Sequence, residues 1–317
     1  MAENRILIIR GGAIGDFILT LPVLQALREM FPTAHLEVLG YPRIAALARW
    51  GGLADGIRSL EDRPMARFFA RRAPLDPSWE DYFGRCGVIL SYLFDPDGIF
   101  QENIARCSRA QFIQGPHRPA DDSGTHASEV LLQPLQRLAV FGADPVPRLT
   151  PPARRQGQHP EDLSSLLPWI TTGPTLALHP GSGSDTKNWP EPRWRELLQS
   201  IASSGENRIL LIGGEAEGDR LERLASGVDA SRVRVLRSAP LPEVAECLSA
   251  CTAFLGHDSG ISHLAAALGL PVTVLWGPTV ERVWRPQGER VRILRHEGGL
   301  ARIEVPTVLQ ALRPDGG

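Results

Sequence analysis

One lysine, Lys187, stands against 33 arginines in this sequence. It lies in His179-Pro-Gly-Ser-Gly-Ser-Asp-Thr-Lys-Asn-Trp-Pro190, between an apolar run at Thr175–His179 and a helical pattern at Pro192–Ser203. A loop of glycine and serine turns backbone N–H groups toward an anion. An ammonium adds a compact point charge where a guanidinium would bring a planar fork. The spacing reads as a phosphate site made of Ser182, Gly183, Ser184 and Lys187. The competing reading is an ordinary strand-to-helix turn with a surface lysine; the solitary lysine favours the first.

A second candidate is Gly256-His-Asp-Ser-Gly260 with His263 one turn further on. Asp258, Ser259 and Gly260 move the chain from strand to helix, so their amides form another anion cradle, with Ser259 as the natural cap. His263 then faces the same ligand. A metal site of His257, Asp258 and His263 is disfavoured because adjacent side chains on a strand end point apart. The nucleophile elbow is absent, since Gly256 and Gly260 leave Ser259 off-centre. Two acids open helices elsewhere. Asp16 follows Gly11-Gly-Ala-Ile-Gly15, as either a helix-start acid or a base at the sheet's carboxyl edge. Glu217, after Gly213-Gly214, is either a first-turn acid or an acceptor for ribose hydroxyls. Asp95-Pro-Asp97 reads more simply as a turn than as a Mg²⁺ site.

Positioning these groups takes repeated strand–loop–helix units. Strands are expected at Arg5–Arg10, His35–Leu39 and Val88–Phe94, then at Thr175–His179, Arg208–Gly213, Arg232–Leu236, Ala253–Gly256 and Val272–Trp276. Helical patterns cover Phe17–Met30, Ile44–Trp50 and His126–Phe141, and in the second half Pro192–Ser203, Glu215–Ala225, Pro242–Cys251 and Ser259–Leu268. Arg58, Arg63, Arg67, Arg71 and Arg72 have a helix-like setting, either a solvated face or a patch for an anionic acceptor or lipid surface. The proline-rich, polar stretch Asp144–Pro174 is expected to hold an interdomain linker. The result is two doubly wound units, with domains at 1–155 and 156–302 and the segment 303–317 packing back onto the first.

The 317 residues, 43% hydrophobic and 22% charged, describe a soluble globular protein. A formal charge of −2 argues against bulk nucleic-acid binding. Cys86, Cys107, Cys247 and Cys251 lack CxxC or zinc spacing, which predicts reduced, mostly buried thiols in a cytosolic compartment. The apolar run Ile6–Leu24 is interrupted by Arg10, Asp16 and three glycines, so it reads as neither signal peptide nor membrane span.

The chain resembles the glycosyltransferase family 9 enzymes, the ADP-heptose:lipopolysaccharide heptosyltransferases. The residues that carry this are Gly15-Asp16 with Thr20-Leu-Pro22, His179–Pro190, Asp258-Ser-Gly260 with His263-Leu-Ala-Ala-Ala, and Trp276-Gly-Pro-Thr279. The resemblance implies an α/β fold of GT-B type, with two Rossmann-like doubly wound domains facing a central cleft, the acceptor on the first and the nucleotide sugar on the second. It implies Asp16 as general base and Lys187 as its catalytic partner. Ser182, Gly183, Ser184 and Lys187 would hold the diphosphate, Glu217 the adenosine, and Asp258, Ser259, Gly260 and His263 the sugar and phosphate. The expected reaction is inverting and needs neither metal nor cofactor, the ADP-sugar being a donor substrate. A glycan or glycolipid is the expected acceptor, and the location is cytoplasmic, with peripheral contact to the inner membrane. The alternatives are a nucleotide-sugar enzyme without transfer, of epimerase type, and a non-catalytic sugar-nucleotide-binding protein. An NAD(P) oxidoreductase is disfavoured, since neither half carries the dinucleotide fingerprint.

Overall fold

The computed structural model describes residues 4–153, 161–204 and 207–313. The chain divides into two compact units, Met1–Thr150 and Pro151–Gly317. The boundary expected between 155 and 156 falls outside the described residues.

The first unit holds five strands: β1 (Arg5–Arg10), β2 (His35–Gly40), β3 (Gly56–Ser59), β4 (Val88–Ser91) and β5 (Gln111–Gln114). They form an all-parallel sheet in the order β3-β2-β1-β4-β5. Ile6 to Ile9 are buried because a parallel sheet is covered on both faces. On one face Leu7, Ile9, Leu39 and Ile89 pack with Met65, Phe68, Trp79, Phe83 and Phe100.

The second unit holds six: β6 (Thr175–Leu178), β7 (Arg208–Gly213), β8 (Val233–Arg237), β9 (Ala253–His257), β10 (Val272–Leu275) and β11 (Val291–Leu294). Their order is β11-β10-β9-β6-β7-β8, again parallel throughout. Leu176, Leu178, Trp189, Trp194, Leu197 and Leu255 lie in its core. In both sheets the order reverses beside the first strand, between β1 and β4 and between β6 and β9. In open α/β sheets the loops leaving such a switch point form the ligand crevice.

Several expectations need correction. The segment 303–317 does not return to the first unit: Ile303, Val305 and Val308 are buried in the core of the second, and 314–317 lie outside the described residues. The expected linker contains a helix, Glu161–Thr171, which buries Leu163 and Ile170, so its polar look conceals an apolar stripe. Phe17–Met30 is two helices, Ile14–Ile18 and Leu21–Met30, offset where the Thr20 hydroxyl donates to the Asp16 carbonyl at 2.8 Å. The arginine-rich stretch is not one helix. Arg58 belongs to β3, and a 3-10 helix runs from Arg63 to Phe69. The cysteines are free thiols, Cys86 and Cys247 buried. No helix among the described residues is long and apolar enough to cross a membrane.

Candidate functional site

In the first unit, the loop at the switch point is Gly11-Gly12-Ala13. Gly12 has φ of +100°, and a Cβ there would stand 2.8 Å from the Asp16 carboxylate, so only glycine fits. Asp16 occupies the third position of the Ile14–Ile18 helix, and its Oδ2 accepts from the Ala13 N–H at 2.9 Å. Its Oδ1 is 3.7 Å from the Arg10 guanidinium. That guanidinium is buried and donates to the Asp16 carbonyl at 3.2 Å and the His117 carbonyl at 2.7 Å. Burial lowers the Arg10 pKa, and the neighbouring Asp16 charge opposes this. Of the two sequence readings of Asp16, the helix-start acid is the one this geometry shows. One oxygen caps the helix, while the side chain as a whole stays 34% exposed and able to meet a substrate hydroxyl.

In the second unit, four loops from the carboxyl ends of β6, β7, β9 and β10 converge. Lys187 Nζ donates to Asp258 Oδ2 at 2.6 Å, and the Thr279 hydroxyl donates to the same oxygen at 2.6 Å. Asp258 is buried, so these two donors satisfy a charge that would otherwise be costly. Lys187 is 30% exposed, which leaves its other N–H bonds available to an incoming anion.

The β6–helix loop is held from beneath by His257, a fully buried residue. Its Nε2 accepts from the Trp189 N–H at 2.8 Å, which fixes Nδ1 as the protonated nitrogen, donating to the Gly181 carbonyl at 3.2 Å. Trp189, two residues after Lys187, also donates its indole N–H to the Ile303 carbonyl at 3.1 Å. Burial pushes the His257 pKa down to about 3 and that of His179 to about 4. A histidine depressed in the folded state stabilises fully above its unfolded value, and that stability is lost as pH falls toward the folded value. Stability is thus expected to drop between pH 6.5 and 4, with each ring adding up to ~1.4 kcal/mol per pH unit. His257→Leu should cost about 3 kcal/mol by orphaning a buried N–H and a buried carbonyl, and should flatten the pH slope. Urea midpoints at pH 7 and pH 5 for the parent and the variant measure both effects; an unchanged slope contradicts the assignment.

The remaining candidates occupy distinct places. Ser182 is buried and spends its hydroxyl on the loop, donating to the Ser184 carbonyl at 2.7 Å. Gly183 and Ser184 are exposed, and the Ser184 hydroxyl lies 2.9 Å from that of Thr186. Ser259 stands at the start of the Gly260–Ala267 helix without making the expected side-chain cap; its hydroxyl sits 3.3 Å from His179 Nδ1 instead. His263 is buried one turn inside that helix. Glu217 turns inward: its carboxylate accepts from the Gly214 N–H and lies 3.9 Å from His179 Nε2. A Cβ on Gly181 would overlap that carboxylate. Gly181→Ala is expected to lose about 2–3 kcal/mol by overpacking. Adding Glu217→Ala should recover part of the loss, a non-additivity that denaturant titration of the double mutant measures.

Sequence reasoning brings out Lys187, Asp258 and Glu217, whose acidic or basic types stand out. It gives no role to Thr279 or Gly181, and it weighs His257 only as a disfavoured metal ligand. A histidine ending a strand, facing a glycine loop from the adjacent strand, is the signal that would find them. Asp95, expected in a turn, accepts from the N–H groups of Phe100 and Gln101 and so opens the Ile99–Ala105 helix. No metal-ligating group of three or more His, Cys, Asp or Glu occurs among the described residues.

The model of glycosyltransferase family 9 (heptosyltransferase) matches residues 145–311. Lipopolysaccharide heptosyltransferase 1 of Pseudomonas aeruginosa is 39% identical over 123 residues, covering 39% of this chain and 34% of that protein. The match thus spans about a third of the length of that curated relative. Among solved structures, the Escherichia coli ADP-heptose lipopolysaccharide heptosyltransferase II superposes with a TM-score of 0.73 at 18% identity, over 97% of each chain. The Escherichia coli heptosyltransferase WaaC with ADP-2-deoxy-2-fluoro heptose gives a TM-score of 0.67 at 22% identity, over 96% of this chain and 98% of that one. The fold is theirs: two parallel-sheet α/β domains of GT-B type.

Proposed function

This chain belongs to glycosyltransferase family 9, and we propose that within it the chain moves a heptose-like sugar from an ADP-sugar to a hydroxyl of a lipopolysaccharide-core or related glycan. The observation that carries this is the Lys187–Asp258–Thr279 cluster at the β6/β9 switch point, within the 145–311 span of the family match. In the proposed step Asp16 accepts the proton of the acceptor hydroxyl, whose oxygen bonds to the anomeric carbon as the bond to the diphosphate breaks. The anomeric configuration inverts, and ADP leaves with the bonding pair. Negative charge grows on the departing phosphate, and fixed donors answer it: the Lys187 ammonium and the loop amide of Gly183. Asp258 keeps the ammonium in place, and His257 keeps the loop in place. Glu217, Ser259, Gly260 and His263 complete the donor pocket in this reading, with Glu217 rotating outward to meet the adenosine ribose. The donor class is supported by the ADP-heptose analogue bound to the WaaC relative.

The test is to incubate the protein with ADP-heptose and heptose-deficient lipopolysaccharide, with and without EDTA. A product heavier by one heptose, of inverted configuration and formed in both conditions, is expected. Free heptose appearing without acceptor would point instead to an enzyme without transfer.

A further inference from the structure

Alternate residues share one face of a sheet, so Arg5, Leu7 and Ile9 lie on the same side as His35, Glu37 and Leu39, and as Gly56 and Arg58. Toward the strand C-termini this face is apolar and packs against Trp79 and Phe83. Toward the N-termini it becomes charged, and a cavity of about 310 Å³ opens between it and the Pro77–Gly84 helix. Arg5, Arg58 and Arg85 line it together with His35, Glu37, Ser78, Asp81 and Tyr82.

The charges there do not cancel. Glu37 is taken by Arg5 at 3.5 Å and His35 at 3.8 Å, and Asp81 by Arg85 at 2.6 Å. Arg58 lies over the rings of Trp79 and Tyr82, at 3.9 and 4.2 Å from their centroids, and makes neither hydrogen bond nor ion pair among the described residues. Stacking engages the face of a guanidinium and leaves the N–H bonds around its edge unspent. Three arginines against two carboxylates leave one positive charge in excess. A second observation points the same way. Tyr82 is 5% exposed; burial first and the Glu37 charge second raise its pKa, and its hydroxyl makes no hydrogen bond of normal geometry among the described residues. A buried hydroxyl held only by a poorly aligned contact to Glu37 is costly, and a ligand oxygen would pair with it better.

We propose that this cavity is an oxyanion site, in which the edge of Arg58 and the Tyr82 hydroxyl bind a phosphate group. Its lining residues are distinct from the Asp16 loop of the same unit. Arg5 and His35, which line the cavity, begin β1 and β2, whereas Asp16 follows the end of β1; Arg58 pairs in register with Leu39, and its side chain lines the cavity from there. The phosphate comes either free from solution or on a lipid headgroup, and the chemistry at Arg58 is the same for both.

Isothermal titration of the Lys187→Ala protein with inorganic phosphate removes the donor loop's cation from the measurement. One saturable event is expected, weakened at least tenfold by adding Arg58→Gln and severalfold by adding Tyr82→Phe. Tyr82→Phe keeps the ring under the guanidinium, so it tests the hydroxyl without disturbing the fold. Sedimentation with phosphatidylcholine vesicles, with and without phosphatidic acid, separates the sources. Arg58-dependent retention by phosphatidic acid assigns the lipid, and saturable phosphate binding without retention assigns the free ion. No saturable heat, or equal binding in the Arg58→Gln protein, overturns the site.

Discussion

Asparagine in place of Asp16 is expected to lower kcat by ~10²–10⁴, the usual contribution of a positioned general base, while leaving ADP affinity within about twofold. The substitution keeps an oxygen that can accept from the Ala13 N–H, so the helix start survives. It removes the charge facing Arg10 and the basicity an incoming hydroxyl needs. Burying Arg10 beside an uncharged partner has its own cost, so stability should also fall, by about 1 kcal/mol for a partly exposed pair. The two effects separate by method: calorimetry with ADP reports donor binding in the second unit, and single-turnover kinetics report chemistry. Normal turnover in the Asp16→Asn protein would mean that Asp16 is only a cap, with the base elsewhere.

Why Asp16 is legible in the sequence, and much around it is not, follows from what a sequence exposes. Strands covered on both faces appear as unbroken apolar runs, as in Ile6–Ile9 and Ile209–Ile212, and the expected bounds of both strands agree with the structure. The strands that escape notice are edge strands: β3 (Gly-Ile-Arg-Ser), β5 (Gln-Phe-Ile-Gln) and β11 (Val-Arg-Ile-Leu). Half covered and four residues long, they carry too few apolar side chains to stand out from loops. The stretch Asp144–Pro174 does hold the division between the units, at Thr150–Pro151, but the helix within it escapes notice for a related reason. Proline at 168 reads as punctuation, yet it lies inside the Glu161–Thr171 helix, whose Leu163 and Ile170 secure it against the second unit's core.

Charge type is the strongest guide to the proposed donor site, and hydrogen-bond partners are what it lacks. A single lysine identifies a cation but cannot reveal that Asp258, 71 positions later, receives it. Ser182 and Ser259 are natural choices for ligand or capping roles because of their hydroxyls, yet both hydroxyls serve the local backbone or a neighbouring histidine. His257 reads from its sequence neighbours as a metal ligand to be weighed, and its place is that of a brace. Burial excludes water, so such a group must be paired within the protein. Which partner it finds depends on the order β9-β6, a property of the assembled sheet.

Lys187→Ala is expected to cost ~10²–10³ in kcat/KM, the scale on which a fixed donor to a developing oxyanion acts. The complication is Asp258. Removing the ammonium leaves a buried carboxylate held by Thr279 alone, so some loss would follow even if Lys187 never met the donor. Adding Asp258→Asn resolves this. The neutral amide keeps a carbonyl oxygen for the Thr279 hydroxyl and no longer needs a counter-charge, so the double variant should regain most of the stability that Lys187→Ala loses. Activity should not return with it, because no cation remains to meet the leaving diphosphate. Lys187→Arg should likewise fall short of the parent, since a planar fork held by Asp258 cannot place the same point charge. A double variant both stable and active would confine Lys187 to a structural ion pair and move the diphosphate site to the loop amides alone.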